Sequence, residues 1–186
     1  MSSKARLVVL SGPSAVGKGT LANHIISRFD NFHLSVSATT RSARPGEVEG
    51  ESYFFVTDEQ FQVMIDKGQL LEWAMVHGQH KYGTPKAQVE QALESGINVV
   101  LEIDVQGAFQ VKRSFPEALL VFVMPPNFEE LEIRMNKRGT ESLDDKVRRL
   151  ETAKTELLQA EAFDFQVIND EVARCAQEVV ELVESN

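Results

Sequence analysis

The sequence predicts a parallel α/β fold, and three observations carry that prediction. Apolar runs of strand length alternate along the chain with stretches of helical period. The first apolar run, residues 7–10, passes through a glycine-rich loop at residues 12–20 into a helical pattern. A later run, residues 98–104, is apolar until Glu102 and Asp104, as expected of a buried strand delivering carboxylates to the edge of a sheet.

The loop reads Gly12-Pro13-Ser14-Ala15-Val16-Gly17-Lys18-Gly19-Thr20. Leu7, Val8, Val9 and Leu10 before it suit a strand buried on both faces. Leu21, Ala22, Ile25, Ile26 and Phe29 after it recur at spacings of three and four. Gly12 and Gly17 let the backbone curl so that its N–H groups face inward, where the positive end of the helix dipole adds to them. Lys18 supplies a mobile charge for β and γ phosphates. A plain glycine turn between strand and helix is the alternative, and the agreement of spacing, lysine and context argues against it. The position after the lysine is usually Ser or Thr, whose hydroxyl reaches Mg²⁺. Here it is Gly19, and the hydroxyl follows at Thr20.

The remaining elements follow in order. Residues 32–37 alternate as a strand, and residues 38–47 read as a loop rich in Pro, Gly and charge. Residues 53–56 form the next strand. Thr57 and Gln60 make a capping box for a helix through Phe61, Met64 and Ile65 that ends near Gly68. Residues 70–76 read as a strand. Thr84 and Pro85 open a helix closed by Gly96. After the strand at 98–104 comes a buried strand at 119–123, stopped by Pro125 and Pro126. Asn127 caps a helix through Leu131, Ile133 and Arg134. A charged stretch from Lys137 to Arg149 merges into a long helix through Leu150, Leu157 and Leu158. Residues 165–168 are the last strand, and Val172, Ala176, Val179, Val180 and Val183 mark an amphipathic terminal helix.

Composition limits the function classes. With 186 residues, 42% of them hydrophobic, the chain suits one soluble unit with a sizeable core. A net charge of −9 argues against a general nucleic-acid binder but permits a local arginine cluster for a small anion. The single cysteine, Cys175, excludes an intrachain disulfide and a cysteine metal cluster. No apolar run approaches a membrane span, and the start shows no signal-peptide pattern, so a cytoplasmic setting is the expectation. The histidines show no ligand spacing; His77 and His80 are expected in a solvent-facing loop.

Arg41 and Arg44 share the loop at 38–47, with Tyr53 downstream, and two guanidinium forks with a tyrosine hydroxyl suit phosphate oxygens. Alone, the pair would read as a solvated basic loop. Arg134 and Arg138 share a helix face if the helix continues that far. Glu72 lies in an apolar run, where an unpaired carboxylate is costly. It needs either a structural arginine or a hydrogen-bonding ligand.

The stretch Thr39-Thr40-Arg41-Ser42-Ala43-Arg44-Pro45-Gly46-Glu47, followed by Gly50 and Tyr53-Phe54-Phe55, resembles the signature of guanylate kinases. Leu71-Glu72-Trp73-Ala74, Tyr82-Gly83-Thr84, Glu102-Ile103-Asp104-Val105-Gln106-Gly107, Arg138-Gly139-Thr140 and Val167-Ile168-Asn169-Asp170 extend the resemblance over nearly the whole chain. It implies a P-loop nucleoside monophosphate kinase fold: a core (residues 4–34, 96–125 and 150–186), an inserted GMP-binding subdomain (35–95) and a lid (126–149). It implies phosphoryl transfer from MgATP to GMP or dGMP, with no nucleic acid, membrane or protein partner. By the same resemblance the GMP phosphate falls to Arg41, Arg44, Tyr53 and Tyr82. The guanine base falls to Ser37, Glu72, Thr84 and Glu102. Gly12, Pro13, Ser14, Ala15, Val16, Gly17, Lys18, Gly19 and Thr20 take the ATP phosphates, with Asn169 near adenine. Asp104 and Thr20 fall in the Mg²⁺ region. Arg134, Arg138 and Arg149 clamp the transferring group. Two departures are visible: Ala15 stands where the family usually has Gly, and one extra residue lies between Glu72 and Tyr82 relative to some members. Related domains that bind phosphorylated peptides without catalysis, and kinases for another small acceptor, remain the alternatives; Lys18 speaks against the first, and Glu72, Tyr82 and Thr84 against the second.

Overall fold

The computed structural model describes residues 4–76, 78–136 and 143–185. In chain order the elements are β1 (Leu7–Ser11), α1 (Lys18–Arg28), β2 (Phe32–Leu34), β3 (Ala38–Thr39), β4 (Phe54–Phe55), α2 (Asp58–Asp66), β5 (Leu70–Val76), β6 (His80–Pro85), α3 (Lys86–Glu94), β7 (Asn98–Glu102), α4 (Val105–Ser114), β8 (Leu119–Met124), α5 (Phe128–Asn136), α6 (Leu143–Leu157), β9 (Phe165–Ile168) and α7 (Val172–Ser185).

Five strands form a sheet in the order β2-β7-β1-β8-β9, every pair parallel. β1 sits at its centre, and all five of its residues are buried. Side chains alternate across a strand. Val8 and Leu10 therefore join Val121 and Val123 on one face, against Leu21, Ala22 and Ile25 of α1 and Ala176, Val179 and Val180 of α7. Leu7 and Val9 join Leu101, Leu120 and Phe122 on the other, with Val89 of α3 and Val105, Ala108 and Val111 of α4. Helices on both faces explain why these strands read as unbroken apolar runs. Each fully buried Val or Leu contributes about 1.5–3 kcal/mol, so this sheet is the stable platform for whatever stands at its carboxyl ends.

A second sheet of four strands has the order β4-β3-β6-β5, with β3 antiparallel to β6 and β6 antiparallel to β5. It is built from residues between β2 and α3. Two of its members differ from the sequence expectation. Ala38 and Thr39, expected in a loop, form β3. β6 is wholly additional; its His-Lys-Tyr-Gly-Thr-Pro run lacks apolar alternation, and pairing with β5 sets its conformation instead. Thr84 and Pro85 consequently end β6 rather than opening a helix; Pro85 is the N-cap residue and α3 starts at Lys86. The residue before a proline is pushed toward extended backbone, which favours that outcome. The strand expected at 32–37 stops at Leu34.

Between β7 and β8 lies α4, a helix with no counterpart in the sequence reading. Its buried face is short, Val105, Ala108 and Val111, and its start is fixed by Asp104, whose Oδ1 accepts from the Gly107 N–H at 2.7 Å. The Thr57–Gln60 capping box is present in full, and Asn127 Oδ1 accepts from the Glu130 N–H at 2.8 Å. Leu158, expected within the long helix, lies beyond α6 and is 79% exposed. Cys175 is a buried free thiol. Among the described residues no helix is long and apolar enough to cross a membrane.

Candidate active site

The carboxyl ends of β1 and β7 are adjacent: Leu10 lies in register with Glu102. The glycine loop leaves β1 at this point. Gly12 adopts φ +139, and a Cβ there would lie 2.4 Å from the Val123 carbonyl oxygen. Gly17 adopts φ +98 as the N-cap residue of α1. Ala15 is the one non-glycine residue with positive φ among those described, at +65. The turn therefore accepts the methyl group, at a strain cost of about 1–2 kcal/mol. Lys18 Nζ donates to the carbonyls of Gly12, at 2.7 Å, and Pro13, at 3.1 Å. The arrangement points the amino end of α1 and one ammonium group into the loop, which is an anion site by construction.

Three residues singled out in the sequence close on this loop from separate elements. Asn169, just after β9, donates through Nδ2 to the Val16 carbonyl at 2.9 Å. Arg134 of α5 donates to the same carbonyl and to that of Asn169, both at 3.2 Å. Arg149 of α6 donates to Ser14 Oγ at 2.8 Å. Arg134 thus braces loop backbone here, whereas the resemblance assigns it to the transferring group. Arg138 and His77 lie outside the described residues.

Facing the loop is a cavity of about 160 Å³ lined by Ser35, Ser37, Ser52, Tyr53, Thr84 and Glu102 among others. Glu102 also lines the cavity around Ser14, Lys18, Gly19 and Thr20, so a single carboxylate stands in the wall of both. It explains Gly19 as well: a Cβ at that position would sit 3.2 Å from Glu102 Oε2. The first hydroxyl after Lys18 is that of Thr20, which is exposed.

Glu72 is 7% exposed and has no ion-pair partner among the described residues; its Oε1 accepts from the Thr84 hydroxyl at 2.7 Å. The structural arginine allowed by the sequence is replaced by a hydroxyl. Burial pushes the Glu72 carboxyl up to about 7, with the Asp104 charge adding to the rise and the Thr84 hydrogen bond opposing it. Gly107 makes room for it, since a Cβ there would lie 3.2 Å from Glu72 Oε2 and 3.3 Å from Asp104 Oδ1.

Arg41 makes four side-chain hydrogen bonds. Its Nη1 and Nη2 fork the Glu47 carboxylate at 2.9 and 2.8 Å, Nη1 also donates to the Ser42 carbonyl, and Nε donates to the Tyr82 hydroxyl at 3.1 Å. Its guanidinium lies 5.4 Å from the Tyr53 ring centroid. Tyr53 and Tyr82 meet edge to face at 5.8 Å. Arg44 is exposed, and its backbone N–H donates to Glu47 Oε2 at 2.7 Å. The Arg41 fork, and then the Arg44 N–H, hold the Glu47 carboxyl down at about 2.

Two carboxylates at this site carry no role in the sequence reading. Glu47 is one; it ends the 39–47 signature stretch with no role assigned to it, and a loop gives no periodicity from which to infer its contact with Arg41. Glu156 of α6 is the other: burial raises its carboxyl, Lys18 opposes the rise, and its Oε2 is buried without a hydrogen-bond partner. It sits two helical turns past Arg149, a spacing that puts both on one face.

A parallel sheet whose central strand runs through such a loop into a helix, with an acid-lined cavity opposite, defines a P-loop kinase of the α/β class. A shikimate kinase from Bacteroides thetaiotaomicron, 14% identical over 96% of this chain and 98% of its own, shares that fold with a TM-score of 0.50. The chain belongs to the guanylate kinase family, whose model matches residues 4–186. It is 54% identical to the guanylate kinase of Leifsonia xyli over 97% of this chain and 71% of the relative, and 50% identical to that of Nocardia farcinica over 96% and 93%. A crystal structure of guanylate kinase from Anaplasma phagocytophilum, 32% identical, superposes with a TM-score of 0.75 over 98% of this chain and 86% of its own.

Proposed function

We propose that the protein is a guanylate kinase, transferring the γ-phosphoryl group of MgATP reversibly to GMP or dGMP to give ADP and GDP. The observation that carries the reading is Glu102, the shared wall between the phosphate loop and the cavity beside Thr84. Donor and acceptor nucleotides bound in these two cavities would be neighbours on either side of this residue. An oxygen of the GMP phosphate attacks the γ phosphorus, and the bond from that phosphorus to the β-bridging oxygen breaks. Such transfer needs alignment, charge neutralisation and exclusion of water more than a covalent nucleophile.

Residues 12–20 hold the ATP phosphates, Lys18 reaching the β and γ groups, and Asn169 lies on the adenine side. Arg44, Tyr53, Tyr82 and Arg41 take the GMP phosphate. Arg134 and Arg149 keep the loop in its anion-binding shape, and Arg149, with Arg138, adds positive charge near the transferring group. Guanine presents N1–H and a 2-amino group, both donors, which the Glu72 carboxylate accepts. Thr84 has its proton on Glu72, so it orients that acceptor; Ser37 remains available as a donor to O6.

No group of three acidic, histidine or cysteine side chains among the described residues could hold a metal by itself. The hard oxygen donors present, Thr20 and Asp104 with Glu102 beside them, fit a Mg²⁺ that arrives on the nucleotide and keeps most of its waters. Bound there, the ion supplies neutralisation of phosphate charge. One Asp104 oxygen is already committed to the cap of α4, leaving the other for such a role. The reading places the enzyme in cytoplasmic purine nucleotide metabolism. A coupled assay with ATP and each nucleoside monophosphate in turn tests it: GMP should be turned over and AMP, CMP and UMP barely so. Equal turnover of AMP, or none of GMP, overturns it.

A further inference from the structure

The hydrogen bonds around Arg41 assign a role to Glu47, and this role rests on the guanylate kinase reading above. A guanidinium carries five N–H donors. In this chain Nε serves Tyr82, Nη1 serves Ser42 and Glu47, and Nη2 gives one proton to Glu47. One Nη2–H is left. Arg41 therefore has no free fork with which to grip a phosphate in bidentate fashion, although its residue type and position suggest one. Its charge is also matched by the Glu47 carboxylate, which Arg44 secures through a third hydrogen bond.

The same bonds set the direction of the Tyr82 hydroxyl. A phenol has one proton to give. Because Tyr82 accepts from Arg41 Nε, that proton must go elsewhere, and Tyr82 is held as a donor. Aromatic contacts lock the arrangement, with Arg41 over Tyr53 and Tyr53 edge-on to Tyr82.

We propose that Glu47 is a positioning residue for the acceptor phosphate: it fixes the Arg41 guanidinium, Arg41 fixes Tyr82 as a donor, and the phosphate meets the Tyr82 hydroxyl and the last Arg41 Nη2–H. The competing arrangement has the phosphate displace Glu47 and take the whole Arg41 fork. That route breaks three charge-assisted hydrogen bonds, two from Arg41 and one from Arg44. The two arrangements predict opposite signs for one substitution.

The test is steady-state kinetics of wild type, Glu47→Gln, Tyr82→Phe and the double variant, with guanosine as a phosphate-free competitive inhibitor. Glu47→Gln should raise KM for GMP about tenfold, the size of one lost charge-assisted hydrogen bond. Its KM for ATP and its Ki for guanosine should stay near wild type, because the base pocket is untouched. The double variant should lose well short of the product of the single losses, since both changes break one chain of contacts. Thermal melting reports folding; if Glu47→Gln is unfolded, Glu47→Asp, one methylene short, takes its place with a smaller rise expected. An unchanged or lower KM for GMP means that Glu47 competes with phosphate, and the proposal fails. A guanosine Ki that rises in step with KM means that Glu47 merely supports the loop, and it fails again. A wild type that does not phosphorylate GMP removes the underlying reading and the proposal together.

Discussion

The Thr84 hydroxyl donates to Glu72 Oε1 at 2.7 Å where Glu72 is only 7% exposed. This pair ties β6 to β5 and leaves a carboxyl in a wall that water hardly reaches. Burial lifts its pKa to about 7 from an ordinary 4.5. Between those values the folded chain retains a proton that the unfolded chain has released. The stability gained from it is full below about pH 4.5 and is lost as pH rises through about 7, to the extent of about 3 kcal/mol. Glu72→Gln has no such proton to lose. Urea melts at pH 5 and pH 8 should show the variant gaining on the wild type at the higher pH. A constant gap would mean that Glu72 is not desolvated in solution.

Guanosine binding should run the other way. In the proposed guanine pocket the ionised carboxylate would accept from N1–H and the 2-amino group, so affinity should rise with pH up to about 7 and then level off. Guanosine is the right probe because a nucleotide phosphate has its own ionisation near pH 6. Titration calorimetry between pH 5.5 and 8.5 gives the profile, and Glu72→Gln should flatten and lower it. A wild-type profile already flat would separate Glu72 from base recognition.

Gly19→Ser restores the residue that usually follows a P-loop lysine, and it should harm this enzyme. Its Cβ would stand 3.2 Å from Glu102 Oε2, so the carboxylate between the two cavities must shift by a few tenths of an ångström. The side chain can yield, and stability should fall by about 1 kcal/mol or less. Misplacing a group at the reacting centre costs more in rate, and kcat/KM should drop about tenfold. Gly19→Ala should behave alike, since the Cβ is the cause. A faster Ser variant would show that a hydroxyl at this position is usable and the contact unimportant.

The contrast between Gly19 and Glu47 shows which features of this chain sequence could reveal. The loop at 12–20, the buried runs of β1, β7 and β8 and the caps at Thr57 and Asn127 depend on neighbours close in the chain, and they stand where pattern places them. β6 and α4 do not announce themselves: β6 is held by β5, and α4 has only a narrow apolar face. Within the site, Arg41, Glu72 and Thr84 are identifiable as residues, but their partners are not. That Glu72 pairs with a hydroxyl twelve positions away, or that Glu102 blocks a side chain at Gly19, is a consequence of strand register and has no local signature.

Lys18→Met should remove nearly all turnover while leaving the fold. Lys18 Nζ donates to the carbonyls of Gly12, at 2.7 Å, and Pro13, at 3.1 Å, and the side chain is only half-buried, outside the apolar core. Losing a charge poised at the transferring phosphate typically costs a factor of about 10²–10³ in kcat. Circular dichroism melts should coincide with wild type within a few degrees. A folded variant with near-normal turnover would rule out the phosphate loop as the donor site.

Binding both substrates should close the molecule, and the second sheet should do the moving. Arg149 already donates to Ser14 Oγ and Arg134 to the Val16 carbonyl, so α5 and α6 lie against the phosphate loop. Arg41 and Tyr82, in contrast, are bonded to one another and to Glu47 within the region of the second sheet. If Arg41 and Tyr82 hold the acceptor phosphate and Lys18 the donor, as proposed, that sheet must approach the carboxyl ends of the first for the two to meet. A chain of 186 residues has an expected radius of gyration of about 16 Å. Small-angle scattering at saturation with a two-substrate analogue should record a fall of about 1 Å, the scale of hinge closure between parts of a small domain. GMP alone should account for most of the fall, because its contacts lie on the moving sheet and on Glu102 of the fixed one. ATP alone should change little, since its loop is already braced. A radius unchanged with both ligands bound would mean that the two cavities stand at reacting distance from the outset. A fall produced by ATP alone would move the hinge to α5 and α6.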